Sequence, residues 1–539
     1  MKNGPNGAGL VLFSGGLAAG PRRTSRAEGR AALLYILEHL EPRVLLAAGD
    51  LDLTFGQGGK VITSLTGGFD AATSAIVLDD GNLLVGGSVT VPNGGGANVA
   101  LARYNPDGSL DTSFGDGGTT IIDQDAAGTG FLQIALASDG DILLATDVHR
   151  PGQMSDFALF RFDSGGHLDD SFGDHGLVRT DVSDWDIPQS LDVRADGKIV
   201  ISGWARKFGY GVDENGRANT KSQGVVLRYN PDGTPDNGFG QDGLVSIQPT
   251  ADNDWVLGRA VLAPDGAVLF AGGTSNLTAN TGHAILERIA DDGTITDLPF
   301  GHEGDGIFSA VKDFKIDAHG RIVLLMSSHD GLRLGRLNAD GSPDPSFGNG
   351  GWAKRPELSL YPTASLRVAK DDSILVAGQE GDFEGQFTLA HYLPDGSIDS
   401  AFGQGGVVTT AFNSGHGETT QAVAFGNNGT IVVVGHNTDN RQHESKFLIA
   451  RYDGGSMGGS GEYVDGDIVE NLPGGGDGGD SDEGDNAGES GSDSGDGGGG
   501  GATPAQGGAA PFSLVSAAAS DGTVFGKDQD LLGRAEDLF

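Results

Sequence analysis

Residues 110–118 read LDTSFGDGG, and near copies stand at 51–59 (LDLTFGQGG) and 398–406 (IDSAFGQGG). Its Phe-Gly core recurs at Phe55, Phe114, Phe172, Phe239, Phe300, Phe347 and Phe402, at intervals of 59, 58, 67, 61, 47 and 55 residues. Three residues before each Phe stands an Asp: Asp52, Asp111, Asp169, Asp236, Asp297, Asp344 and Asp399. With a Gly directly after each Phe and another four residues on, the chain holds seven matches to D-x-x-F-G-x-x-G. Self-similarity at a near-fixed period marks a repeat architecture.

The rest of each unit repeats more loosely. In the last one, VVTTAF (407–412), TQAVAFGNNG (420–429), TIVVVGHN (430–437) and SKFLIARYDG (445–454) read as four strands, rich in β-branched residues and ended by turns. The middle turn recurs as DDGN at 79–82, SDGD at 138–141, ADGK at 195–198, PDGA at 264–267 and AHGR at 318–321. Asp-Gly between apolar runs signals a hairpin because its turn needs positive φ. An exit strand recurs as LARY (101–104), LFRF (159–162), VLRY (226–229), LAHY (389–392) and IARY (449–452), and no long amphipathic helix interrupts 49–455. The fold class predicted is all-β: a seven-bladed β-propeller of four-stranded antiparallel blades. A small sheet cannot bury both faces alone, so blades pack on one another. The repeats open at the phrase near residue 50 and stop after an exit strand near 454. A first strand from one end would then complete a sheet built from the other.

Exit strand, PDG turn and phrase run on continuously, as in RYNPDGSLDTSFGDGG (103–118), so the phrase reads as the connection between units. Its Phe is expected to plug neighbouring sheets, its glycines to allow positive φ or close approach, and its Asp to accept turn amides or pair with the exit-strand Arg. That Arg is Arg103, Arg161, Arg228, Arg288, Arg336 or Arg451, with His391 in its place once.

The repeat resembles the delta-60 repeat of bacterial secreted and surface proteins, whose units read LDxSFGxGGxV, PDGKIVVAG and LARYNPDG. The resemblance covers roughly 50–454 and implies a propeller-like fold without a catalytic assignment to carry over. Units five and six depart most; unit five has DAHG for PDG and the 47-residue interval, so its outer strand is expected to be short or missing. LEHLEPRVLLAAGDLD (37–52) is similar to the LEPR-XLL motif found near the start of large exported proteins, through Leu40, Glu41, Pro42, Arg43, Val44, Leu45 and Leu46. Arg22, Arg23, Arg26 and Arg30 ahead of AALLYIL give a loose signal-peptide order, although Glu38, His39, Glu41 and Arg43 interrupt it. A docked amphipathic helix over 27–40 is the alternative.

Four segments follow: 1–48, an export-type N-terminal segment; 49–455, the propeller; 456–510, a Gly/Asp/Ser-rich acidic linker expected to be disordered; and 511–539, a short segment with a candidate helix. The net charge is −40, and since 456–510 carries twelve acids, most of the acidity belongs to 49–455. A polyphosphate partner needs a basic footprint, so nucleic acid is excluded. The chain has no Cys, which removes disulfides, thiolate catalysis and Cys-bound zinc. No run of 18 apolar residues marks a transmembrane helix.

Chemical motifs are sparse. Residues 238–243 spell G-x-G-x-x-G, but a strand follows where a dinucleotide site needs a helix. The turn at 105–111, NPDGSLD, carries oxygens at a spacing that suits calcium or, more simply, an Asx-type turn. No metal centre or cofactor is assigned beyond that calcium alternative. Trp204, Arg206, Phe208 and Tyr210 stand in the long insertion 203–224, and such residues favour recognition. The reading is a monomeric, non-catalytic, exported propeller binding a protein or glycan at the cell surface. The alternatives are a propeller hydrolase or lyase acting on polysaccharide through an acidic channel pair, and a structural spacer.

Overall fold

In a computed structural model the described residues are 47–90, 97–126, 131–149, 154–212, 218–248, 255–276, 281–300, 310–328, 331–353, 365–380, 385–412, 417–426, 429–439 and 444–455. The N-terminal segment with its motif, the acidic linker and the C-terminal segment lie outside them.

These residues form seven small antiparallel blades and no helix, blades one and two being joined by the single pair Ala126–Val148. Blade one pairs Asp70–Val77, Leu83–Thr90, Ala97–Tyr104 and Thr119–Ala126. Blade two pairs Leu132–Leu136, Ile142–Val148, Asp156–Phe162 and Leu177–Thr180. Blade three is built of Trp185–Val193, Ile199–Val212, Ala218–Tyr229 and Leu244–Ile247. Blade four holds Trp255–Leu262, Val268–Asn276, Thr281–Ile289 and Ile295–Asp297. Among the described residues blade five has three strands, Ala310–Ile316, Ile322–Ser328 and Gly331–Leu337, with the bridge Gly335–Trp352 at its outer position. The 47-residue interval, Phe300 to Phe347, ends before this position, and the strand expected after Phe300 falls on 301–309, outside the described residues. Blade six is Ser365–Val368, Ile374–Glu380, Gln386–Tyr392 and Val407–Thr410. Blade seven joins Gly417–Phe425, Thr430–Asp439 and Glu444–Asp453 to Lys60–Thr63 from the opposite end of the array.

Closure is visible in the core as well. Seven apolar clusters each draw on two consecutive blades, and the seventh joins Phe447 and Ile449 of the last blade to Val85 and Ala100 of the first. An open stack of seven sheets would have six such interfaces. The first strand of each blade also touches the first strands of both neighbours around the whole ring, so these strands lie nearest the axis.

The phrase sits differently from its sequence reading. It links the third strand to the fourth within one blade, so the sequence unit is offset from the blade by one strand. Its side chain then works across the junction. Phe55, Phe114, Phe172, Phe239, Phe347 and Phe402 are each at most 1% exposed and enter six different inter-blade clusters. Phe114 lies under the next blade's turn, where a Cβ on Gly166 would come within 2.6 Å of its ring. Gly115 has φ 50°, and a Cβ there would fall 2.2 Å from the Thr119 carbonyl. Its N–H donates to Gly165 of the next blade at 2.8 Å.

The phrase Asp divides its two oxygens. Asp111 Oδ1 accepts Ser113 N–H and Oγ–H, while Oδ2 accepts Arg103 Nε at 2.7 Å. Asp52–Arg451, Asp236–Arg228, Asp344–Arg336 and Asp399–His391 repeat this. Each of these arginines also covers the phrase Phe, Arg228 at 4.3 Å from the Phe239 ring, and reaches a turn of the neighbouring blade, as Arg103 does to Ser164 O at 2.7 Å. Two copies differ. Arg161 bonds Asp139 and Asp141 and stands 3.4 Å from Asp169. In blade four the described fourth strand, Ile295–Asp297, reaches only the start of the phrase, Asp297 is exposed, Arg288 turns to Asp265, and Phe300 is only partly buried.

Candidate functional site

Two faces of the ring differ in construction. One carries the hairpin turns and the phrases; the other carries the connections between second and third strands and between blades. Two hollows lie on the first face, one lined by Ala137, Asp139, Arg161, Asp196 and Pro231, another by Gly115, Thr119, Ile121 and His167. Turn and phrase residues line both, together with strand residues such as Arg161 and Thr119–Ile122.

On the other face blade three stands out, because its second and third strands run to 14 and 12 residues. Alternation along Ile199–Val212 puts Trp204, Arg206 and Phe208 on one side of the sheet. The register sets Trp185 of the innermost strand opposite Arg206. Trp185 meets Trp204 edge-on at 5.4 Å and stacks on Phe208 at 6.2 Å. The Arg206 guanidinium lies 4.8 Å from the Trp204 ring and 5.1 Å from Trp185, and its Nε donates to Ser222 Oγ. Burial lowers the Arg206 pKa to about 10. The aromatic side chains are half-buried, and exposed Asp184 holds the Phe208 N–H at 2.8 Å. Three of the four sequence candidates therefore converge, while Tyr210 lies outside the residues whose side chains are described. Trp185 is the member that sequence reasoning missed. Its signal was the hairpin turn at 195–198, from which Trp185 and Arg206 lie at matching distances once the bulge after Pro188 is counted.

Near the axis, neighbouring blades are joined through side chains at corresponding positions. Ser74 Oγ accepts Ile134 N–H, Gln133 Oε1 accepts Leu191 N–H, and Ser190 Oγ accepts Ala260 N–H. Blades four to six replace these neutral links with charge. Buried Asp313 accepts Arg259 NH1 at 2.9 Å and Leu366 N–H at 2.8 Å. Burial opposes ionisation of Asp313, but Arg259, Lys315 and Arg367 hold its pKa down. Lys312 occupies a bulge in the same strand, and burial followed by repulsion from Arg259 lowers its pKa to about 8.

Two groups of side chains have ligand-like spacing. Asp317, His319 and Asp372 form one, but Arg321 bonds both carboxylates at 2.6 Å and neutralises them. Asp156, Asp181 and Asp186 form the other, at the junction of blades two and three. Burial raises the Asp186 pKa to about 8, against its bonds from Val182 and Ser183 N–H and with Asp181 and Asp156 adding to the rise. At the turn 105–111, Asp107 Oδ1 accepts Ser109 N–H and Oγ–H, so that oxygen serves the turn. The 238–243 motif is a phrase turn followed by the strand Leu244–Ile247.

The chain matches the family described as "Domain of unknown function (DUF5122) beta-propeller" at residues 78–114, 194–239 and 328–347. Each match ends on a phrase Phe. The chain is a β-propeller repeat protein. No curated protein matches it. Among solved structures, this propeller is similar to a virginiamycin B lyase from Staphylococcus aureus, with 12% identity and TM-score 0.39 over 72% of this chain and 98% of that one. A polysaccharide lyase aligns at 11% identity and TM-score 0.41 over 76% and 90%. The propeller domain of the trilobed protease from Pyrococcus furiosus, described as having an open velcro topology, aligns at 10% and 0.41 over 72% and 94%. Among the described residues no helix is long and apolar enough to cross a membrane.

Proposed function

We propose that the chain is a non-catalytic binding propeller, acting outside the cell, whose third blade offers an aromatic platform to a glycan. The observation that carries this is the group Trp185, Trp204 and Phe208 around Arg206. Such a group supplies flat apolar area at low entropic cost, with the buried Arg206 guanidinium packed against the Trp rings. It stands on paired strands, so its geometry is set before a ligand arrives. The test is a glycan array with the full chain and with Trp204→Ala and Trp185→Ala. Binding by the parent and at least a tenfold loss in both variants supports the reading; equal binding by all three, or a parent that binds no glycan, removes it.

A polysaccharide lyase is the second reading, and the axial group favours it over an acid-pair hydrolase. A lysine with a pKa near 8 beside Arg259 suits proton abstraction next to a uronate carboxylate. Unsaturated products from uronate-containing polysaccharide, absorbing in the ultraviolet and lost in Lys312→Met, would establish it; no turnover by the parent would exclude it.

A further inference from the structure

The acidic group at the blade two–three junction has an internal control, because the fold builds the same corner elsewhere. Asp186, Asp70 and Glu418 each stand eight residues before the first residue of a hairpin turn (Arg194, Leu78, Gly426). Each accepts an N–H from the incoming connection: Val182 to Asp186 at 2.7 Å, Leu65 to Asp70 at 2.7 Å, and Phe412 to Glu418 at 2.8 Å. Ser155 Oγ bonds the Asp186 carbonyl as Ser445 Oγ bonds that of Asp70. One carboxylate at this corner is therefore a device of the fold.

The other two positions of the corner are not constrained to be acidic. Five residues before the exit-strand Arg161, Arg451 or His391 stand Asp156, Lys446 and Gln386. Directly after the outer-strand Thr180, Thr63 or Thr410 stand Asp181, Ser64 and Ala411. Where the ring closes, the corner is Lys446, Ser64 and Asp70; between blades six and seven it is Gln386, Ala411 and Glu418. Between blades two and three it is three aspartates, with oxygens within 4.8 Å of one another. Asp186 differs from Asp70 in one further respect. Both oxygens of Asp70 are bonded, Oδ1 by Thr66 Oγ1 at 2.6 Å, whereas Oδ1 of Asp186 is fully buried without a hydrogen-bond partner in a residue 0% exposed.

We infer that Asp156, Asp181 and Asp186 form a site for a hard divalent cation of the calcium class. Oxygens bound to one such ion at 2.3–2.6 Å lie within about 5 Å of each other, as these do. An all-carboxylate set without His or Cys disfavours zinc and copper. The cation removes the repulsion of three carboxylates, gives Asp186 Oδ1 the partner it lacks, and ties the outer edge of blade two to the innermost strand of blade three. Asp181 is exposed, so the site opens to solvent on the side from which water completes the shell.

The test uses terbium ion as the probe on the full chain, since Trp185 adjoins Asp186 and sensitises a lanthanide bound there. The parent is expected to give saturable emission that calcium displaces, and calcium is expected to raise its unfolding temperature. Asp181→Ser installs the residue of the closing corner. It should weaken terbium binding at least tenfold and abolish the calcium-dependent shift, while unfolding without metal at the parent's temperature or above. Asp156→Gln, borrowed from the corner of blade six, should do the same. No saturable emission from the parent, or emission of equal strength in both variants, as diffuse attraction to the acidic linker would give, overturns the inference. It is independent of glycan binding, which either outcome leaves untouched.

Discussion

The face of hairpin turns and phrases and the face of inter-blade connections are made from the same seven repeats by opposite rules. On the first, an Asp, an Arg, a Phe and a Gly recur with the same partners at most junctions, and the carboxyls of Asp52, Asp111, Asp169, Asp236 and Asp344 are held low. Bonds from Ser113 lower Asp111; at Asp236, bonds from Lys198, Gly238 and Arg228 outweigh burial and hold it at about 2. On the second face one corner is reused with Lys, Gln or Asp, and one blade grows a hairpin lined with Trp and Phe. The difference separates residues that shut the ring from residues free to diverge, and so tells where a ligand site can be sought.

The largest expected effect tests the first face. Phe239→Ala empties a fully buried inter-blade position and should lower the unfolding free energy in urea by about 3–5 kcal/mol. Phe208→Ala on the opposite face should cost about 1 kcal/mol, within the ordinary range for single substitutions. Equal losses would erase the contrast. Next comes the phrase pair itself. Asp236→Ala strips Arg228, 2% exposed, of its buried carboxylate, an expected loss of about 3 kcal/mol in the same assay. Asp297→Ala removes the same letter of the phrase where the pair is not made, and should change stability by under about 0.5 kcal/mol. A substantial loss there would mean that the phrase acts through its sequence rather than its contacts.

Acid should separate the faces too. Burial lowers the His436 pKa to about 4 from an ordinary 6.5. The unfolded chain takes up this proton near pH 6.5 while the folded one resists until about 4. The contribution is therefore complete above 6.5 and is lost as pH falls through that window, by on the order of 3 kcal/mol. His436→Leu should flatten that part of the stability profile, measured by urea unfolding between pH 4 and 7. The phrase carboxylates should hold their pairs throughout it.

How far the sequence reveals all this follows from the range of each interaction. The ring is legible because phrase, turn and exit strand are local signals written seven times, and repetition averages out single departures. What Asp297 does is not legible, since D-x-x-F-G matches perfectly there while Arg288 has turned to Asp265. Trp204, Arg206 and Phe208 are readable as one face by alternation, whereas Trp185 joins them only through a bulged cross-strand register. The three aspartates are further from reach. They come from two strands and the end of a third, in two blades, and they stand out only when equivalent corners are compared.

The pairing of Lys60–Thr63 with Glu444–Asp453 has a consequence for biosynthesis. The segment that seals the circle leaves the ribosome before every other strand of the ring, and its mate leaves after all of them. Until then the opening strand must wait with an unsatisfied backbone edge, and the earlier sheets can stack only as an incomplete arc. A message truncated before codon 444 could add blade upon blade and still never latch.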